Sequence, residues 1–575
     1  MKNIVKKISY SNLLIGICFV ICLISFIFNP LDHDLRVMLA SANQVQYFDG
    51  NWLSGVYNCW EIKGVFNRLF IFVLYKIANQ FIPYASMFYY EIIINTIFAV
   101  FTIVITSISV KLVTNKFLLK PILLLCCAYF ATIIHIHIQP EMISTLILVL
   151  ASSLFINSKI NPNHKKLKQF FVGILIGSIF FFKSICVLMA FSFGAGMLLL
   201  AKSGNKKISI NEILTIIWGS IFIFLFGNAT IFLFNPSEFV KIMNAAVYEP
   251  TLISGAKRNP LFLKYLYNNC FQIPIIFLGF ITAINNMITT IKKHQKYETL
   301  LRIILWSIPT IAIILQNVYF NYHYALYIFP TILEIYIYKD KFIELIKTKC
   351  LKYENLFFLF FIGLFYTLVK INVLKLNYTL TNNILKIYFI VIIITAILGI
   401  NNKLKSYLYI KIPIVLVTGI YLSYVSVFSD NFYTYINLIN KMYSYNSDIL
   451  SKINIPKNEE ILYLDNGIST YFIGNKSYLD EHYPLCVQRI KEGSDFQNKK
   501  FYTNAMQKLL NYDGEYIILH EIWFFKNNKN PLLQEKINNE YRKLEEIITI
   551  NCKHTIFKKQ TKKSFRRVAI YKRIK

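Results

Sequence analysis

Residues 65–83 read VFNRLFIFVLYKIANQFIP, and whether this stretch crosses a membrane decides the topology of the whole chain. It is apolar, yet it carries Arg68 and Lys76 and is bounded by NR and NQFIP, so it is marginal as a span. Its surroundings are not marginal. Long runs with almost no charge follow at 92–110, 213–234 and 388–400 with its flanks, and runs of about 18 residues or more read as membrane helices. In front lies a basic N-terminus (Lys2, Lys6, Lys7) and then an apolar stretch to Phe28. That stretch is long for a signal peptide and lacks a small-residue cleavage site, so it reads as a retained anchor.

Suppose 65–83 lies along the outer interface. Then 91–110 returns inward, and the basic clusters downstream all face the cytoplasm: Lys111, Lys116 and Lys120; Lys159, Lys165, Lys166 and Lys168; Lys202, Lys206 and Lys207. The same holds for Lys292, Lys293, Lys296 and Arg302, for Lys339, Lys341, Lys347, Lys349 and Lys352, and for Lys403, Lys405 and Lys411. If 65–83 crossed, every one of these would flip outward, against the bias of lysine and arginine toward the cytoplasmic side. The interfacial reading wins.

Helices are then expected at 9–28, 91–110, 121–136, 140–158, 169–186, 187–201, 211–234, 267–290, 302–318, 324–338, 354–370, 382–400 and 409–428. The fold class is a polytopic α-helical membrane protein of about 13 spans, with its N-terminus inside and its C-terminal part outside the cytoplasmic membrane. The transmembrane part covers 1–429, with a first outer loop at 29–90, and an amphipathic connector covers 430–455. Residues 456–575 read as a small extracytoplasmic α/β domain. In it ILYLD (461–465) is a strand running into a turn at Asn466-Gly467, and YIILH (516–520) and stretches around 547–557 and 567–573 are further strands.

Composition agrees. The chain has 575 residues and is 55% hydrophobic, above the roughly 45–50% of soluble domains even when glycine is counted there. The net charge of +31 is spread between hydrophobic runs, which points to anionic lipid as the neighbour and not to nucleic acid. The basic C-terminal tail meets headgroups or is a solvated surface. The ten cysteines show no CxxC pair or metal-ligand spacing. Cys486 and Cys552 share the C-terminal segment and either pair in an oxidising compartment or stay as buried thiols.

Three groups of ionisable residues converge on the outer side of this topology. The first lies in the polar interval 29–68, NPLDHDLRVMLASANQVQYFDGNWLSGVYNCWEIKGVFNR, where Asp32 and Asp34 flank His33. A carboxylate at a bilayer surface loses hydration and persists when it binds a cation or proton or serves chemistry; alternatively, either Asp caps a helix over 35–45. The second group is His135, His137 and Glu141, on the turn HIHIQPE. The third is cationic: Lys183 in FFKS, with Arg68, Lys257 and Arg258 at similar depth, and Lys63 in the first loop. An intramembrane lysine pairs with a phosphate or carboxylate, or snorkels to the interface. His135 and His137 share a face only in a strand, so the turn is a poor chelate; no metal ligands are assigned, and a divalent cation stays open. Carboxylates opposite cations suit a reaction in which a base takes a proton from an acceptor while cations stabilise a phosphate leaving group.

An acidic pair after the first helix, an interfacial segment GVFNRLFIFVLYKIANQFIP and an acidic residue in QPEMISTLILVLASSLF together resemble the GT-C superfamily of membrane glycosyltransferases, which use polyprenyl-phosphate sugars. KSICVLMAFSF, NYHYALYIFPTILEIY (with Tyr324) and ILYLDNGISTYFIGNK resemble the lipid A aminoarabinose transferase and protein O-mannosyltransferase branch. The resemblance implies that Asp34, with Asp32, is the base or acceptor-orienting carboxylate, Glu141 the second acidic group and Lys183 a donor-phosphate ligand. Asp-His-Asp stands where adjacent Asp-Glu is common, which leaves the counterpart open between Asp32 and Asp34. The expected activity is inverting transfer of a sugar from a polyprenyl-phosphate carrier to an envelope lipid, glycan or protein, with no required cofactor. The rival expectations are an envelope-polysaccharide polymerase or ligase, and a flippase or transporter of lipid-linked sugar.

Overall fold

The computed structural model describes residues 10–28, 31, 33–47, 52–58, 64–133, 138–204, 207–234, 236, 274–316, 321–337, 431–465, 468–478, 506–525, 530–550 and 565–574. Over these the chain is mostly helical, with a small sheet near its C-terminus. Among the described residues, five stretches are long and apolar enough to cross a membrane: Tyr89–Thr114, Pro140–Ile160, Ser184–Ser203, Ile210–Phe234 and Lys296–Leu315. This is a membrane protein.

Helix α1 (Tyr10–Ile27) leads into the polar loop, which folds as α2 (His33–Gln44), α3 (Trp52–Asn58) and α4 (Val65–Asn79). The 15 residues of α4 reach about 22 Å at 1.5 Å per residue, short of a hydrocarbon core of about 30 Å. The helix buries Arg68, Ile71, Phe72 and Tyr75 and exposes Val73, Lys76 and Ile77. Then follow α5 (Met87–Thr114), α6 (Leu119–Ile133), α7 (Pro140–Ile160), α8 (Lys165–Phe182), α9 (Met189–Ser203) and α10 (Ile210–Phe234). The set is completed by α11 (Pro274–Lys292), α12 (Lys296–Leu315) and α13 (Ile328–Ile337).

Packing follows what a lipid solvent allows. Apolar side chains gain little by leaving lipid for protein, so helices associate where small residues let backbones approach. Helix α8 crosses α10 in this way: a β-carbon on Gly173 would lie 2.0 Å from the Ile216 carbonyl oxygen, and the Ser220 hydroxyl donates to the Gly173 carbonyl at 2.9 Å. Elsewhere aromatic contacts join the helices. Phe26 of α1 stacks on Phe130 of α6 at 5.2 Å, and Tyr84, Tyr75 and Tyr90 form a ring cluster that ties α4 to α5.

Two expectations are corrected. The stretch 169–186 is not one helix, because α8 stops at Phe182. Nor is 324–338 a continuous span: Asn321–Tyr327 is a 3-10 segment and α13 has 10 residues, about 15 Å. The expected total of about 13 spans is not carried by the structure, and 354–370, 382–400 and 409–428 lie outside the described residues.

After the bundle, α14 (Asn431–Ile453) occupies the expected connector and packs on a sheet of β1 (Ile461–Leu464), β2 (Tyr516–Leu519), β3 (Tyr541–Ile550) and β4 (Phe565–Arg573). The order is β1-β2-β4-β3, with β1 parallel to β2 and the other pairs antiparallel. Side chains alternate between faces with period two. Leu462, Leu464, Ile517 and Leu519 therefore meet Leu533 and Ile537 of α16 (Pro531–Glu540), which follows the short α15 (Glu521–Phe525). Ile461, Tyr463 and Ile518 meet Ile449 of α14 on the other face. The loop after β1 returns to the membrane part: Gln44 accepts from the Ser477 N–H at 2.9 Å and donates to the Asn475 carbonyl at 3.2 Å.

Candidate functional site: a buried carboxylate between a lysine and a histidine

Glu141 stands in the first turn of α7, after Gln139 in extended backbone and Pro140 at the first helical position. Proline suits that position because its ring presets φ and the first turn needs no N–H. The helix N-terminus faces the carboxylate with its partial positive charge. Glu141 is wholly buried.

Helix α8 brings the counter-charge by ending. Lys183 takes extended backbone (φ −159°, ψ 118°) and the chain continues as the 3-10 turn Ser184–Leu188. The break turns the lysine side chain into the bundle, where Nζ donates to Glu141 Oε1 at 2.8 Å. The 3-10 segment Asn321–Tyr327 adds His323, whose Nε2 lies 3.5 Å from the same oxygen. The other carboxylate oxygen, Oε2, is buried and has no hydrogen-bond partner among the described residues. A buried polar atom without a partner calls for an explanation, such as a water, an ion or a catalytic role.

Arg68 is close along the backbone. The Gly64 N–H donates to the Phe182 carbonyl at 3.2 Å, next to Lys183, and Arg68 sits one turn into α4 from Gly64. The guanidinium is mostly buried and donates to the Val56 carbonyl at 3.4 Å. It lines a small cleft between α2, α3 and α4, of about 10 Å³, with Met38, Ser41, Val56 and Phe72 among the walls. Asp34 is in the first turn of α2, one turn before Met38.

Comparison with protein-family models, curated proteins and solved structures finds no match. The site therefore has to be read from its own groups.

Of the residues singled out in the sequence, Glu141 and Lys183 come together, and Tyr324 is buried beside His323 with its ring 6.4 Å from that of Tyr327. Arg68 is near only along the backbone, through the Gly64–Phe182 bond, and its guanidinium bonds Val56. Helix α2 begins at His33, which puts Asp34 inside the helix. Asp32, Lys63, His135, His137, Lys257, Arg258, Cys486 and Cys552 lie outside the described residues. Among the described residues no group of three or more His, Cys, Asp or Glu forms a metal site. His323 is a further member of the site, not among the residues that the sequence singles out. Its signal in the sequence is slight: a single histidine in NYHYALY, beside Tyr324.

Proposed function

We propose that this protein is an integral-membrane glycosyltransferase that moves a sugar from a polyprenyl-phosphate donor to an envelope acceptor on the outer side of the cytoplasmic membrane. The observation that carries the reading is Glu141: a wholly buried carboxylate held by Lys183 at 2.8 Å, with His323 beside it, at the edge of a polar loop in a membrane bundle. Buried charges in membrane helices are costly and mark function. Lys183 and Arg68 supply the cations that a departing phosphate needs.

In the proposed step an acceptor hydroxyl oxygen attacks the anomeric carbon. Its proton passes to Asp34, and the bond from that carbon to the phosphate oxygen breaks. The lipid phosphate leaves with one more negative charge, which Lys183 and Arg68 stabilise, and the anomeric centre inverts. Glu141 keeps Lys183 in place until the phosphate arrives, and its Oε2 accepts a hydrogen bond from a sugar hydroxyl.

Purified protein in proteoliposomes, given radiolabelled polyprenyl-phosphate sugars and envelope acceptors, tests this. Label should move to an acceptor with the native chain and fail to move in folded Asp34→Asn and Glu141→Gln variants. A second reading, translocation of the lipid-linked sugar, draws on another buried cluster. Arg302 lies 3.3 Å from Glu334, which also accepts from Asn286 at 2.7 Å, and such groups also line transport paths. Labelled lipid that changes leaflet without being consumed would replace the first reading with the second.

A further inference from the structure

Beyond the Glu141 site, a second buried ion pair joins the first loop to α5. Arg36 and Glu91 have side chains 1% and 2% exposed. Arg36 Nε donates to Glu91 Oε1 at 2.6 Å and its second guanidinium nitrogen donates to Oε2 at 3.0 Å, a fork on a fork. Oε2 also accepts from the Leu31 backbone N–H at 3.2 Å. Leu31 and Leu35 are themselves buried. One carboxylate on α5 thus grips the chain at residue 31 and at residue 36. The segment between those grips is Asp32-His33-Asp34-Leu35.

Desolvating two charges is a poor route to stability, and apolar residues of similar volume often do as well or better. What a bidentate pair adds is direction: its planar geometry fixes orientation as well as distance. We infer that Arg36 and Glu91 are positioning residues, and that their pair fixes the start of α2 and with it the backbone at Asp34. The consequence for turnover rests on the glycosyltransferase reading; the effect on the backbone does not.

Two variants of the full chain in lipid discs separate the possibilities. The double variant Arg36→Met with Glu91→Leu removes the pair without leaving a buried charge. Glu91→Gln keeps an acceptor for the Leu31 N–H. In the double variant, backbone amides over 31–36 should exchange faster while the unfolding temperature stays near that of the native chain. With a radiolabelled polyprenyl-phosphate sugar, kcat should fall about 100-fold, the scale of a misplacement of about 1 Å, with donor KM within about twofold because donor binding is untouched. Glu91→Gln keeps the Leu31 contact but strands the Arg36 charge, so it should lower the unfolding temperature as well as kcat. Unchanged exchange over 31–36 overturns the proposal, as does native kcat in the double variant despite faster exchange. A general loss of unfolding temperature in the double variant, with kcat and KM moving together, also overturns it, since the pair is then only a pin of the fold. If the native chain transfers no sugar but exchange accelerates as expected, the clamp stands and the glycosyltransferase reading falls.

Discussion

Gly64 and Phe182 are joined main chain to main chain, the Gly64 N–H donating to the Phe182 carbonyl at 3.2 Å. The carbonyl is one of those left without a partner at the end of α8, and α4 supplies the donor. Lys183 follows immediately on one side of this joint and Arg68 lies one turn beyond the other. Two cations from distant parts of the chain are thereby held to one piece of backbone. Only glycine fits there: a β-carbon on residue 64 would lie 2.0 Å from the Phe181 carbonyl oxygen.

Gly64→Ala should therefore push α4 away from α8. Overpacking of this kind costs about 1–3 kcal/mol, and backbone cannot yield as a side-chain tip would. Unfolding in detergent should begin at lower temperature, and sugar transfer should drop with it. An unchanged unfolding curve would show that the two helices are not in contact.

The two halves of the Glu141–Lys183 pair should respond unequally to substitution. Lys183→Met strands a carboxylate that is 0% exposed, whereas Glu141→Gln leaves a lysine that is 11% exposed and able to reach the edge of the bundle. Breaking a buried pair costs about 3–5 kcal/mol when the remaining charge has no escape. Lys183→Met should approach that loss in denaturant titrations and Glu141→Gln should fall well below it. Equal losses would mean that both charges are equally trapped.

Docking of the C-terminal unit can be read at Gln44. Its side chain bonds the Ser477 N–H and the Asn475 carbonyl, and the Tyr47 hydroxyl donates to the Gly474 carbonyl nearby. Gln44→Ala removes the acceptor for Ser477. That amide should exchange about tenfold faster, the factor for one hydrogen bond of about 1.4 kcal/mol, while amides in β1 keep their protection. No change at Ser477 would place the loop after β1 away from α2.

A pH effect is expected in the sheet. Partial burial alone would raise the Glu546 carboxyl, but hydrogen bonds from Lys543 at 2.7 Å and Arg567 at 3.0 Å outweigh it and hold the group below its usual range. A depressed carboxyl contributes stability above the unfolded value near 4.5 and loses it as pH falls through the folded value. Melting of the full chain from neutral pH to about pH 3 should show a decline that Glu546→Gln flattens. Identical pH profiles for the two proteins would remove Glu546 from the cause.

What could be read in the sequence are the features that local composition decides. Uncharged runs such as 92–110 and 213–234 have nowhere to go but lipid, and the short apolar runs ILYL and YIIL, too short for helices and set among polar residues, mark buried strands. Lys183 stands out for the same local reason, as a charge set in apolar surroundings, and Glu141 as the acid of the turn HIHIQPE. What only the tertiary structure decided are the pairings. Lys183 meets Glu141 across 42 residues, Arg36 meets Glu91 across 55, and Gln44 meets Asn475 across 431. Periodicity tells which face of a helix is buried but not which helix lies against it, so the Arg36–Glu91 pair leaves no mark along the chain and His323 only a slight one. The break at Lys183 belongs with them. FFKS continues a helical pattern along the chain, and the helix ends there because the Phe182 carbonyl bonds Gly64 and the lysine bonds Glu141. The cost of burying a charge is written in its immediate neighbours, and the partner that offsets the cost is brought by the fold.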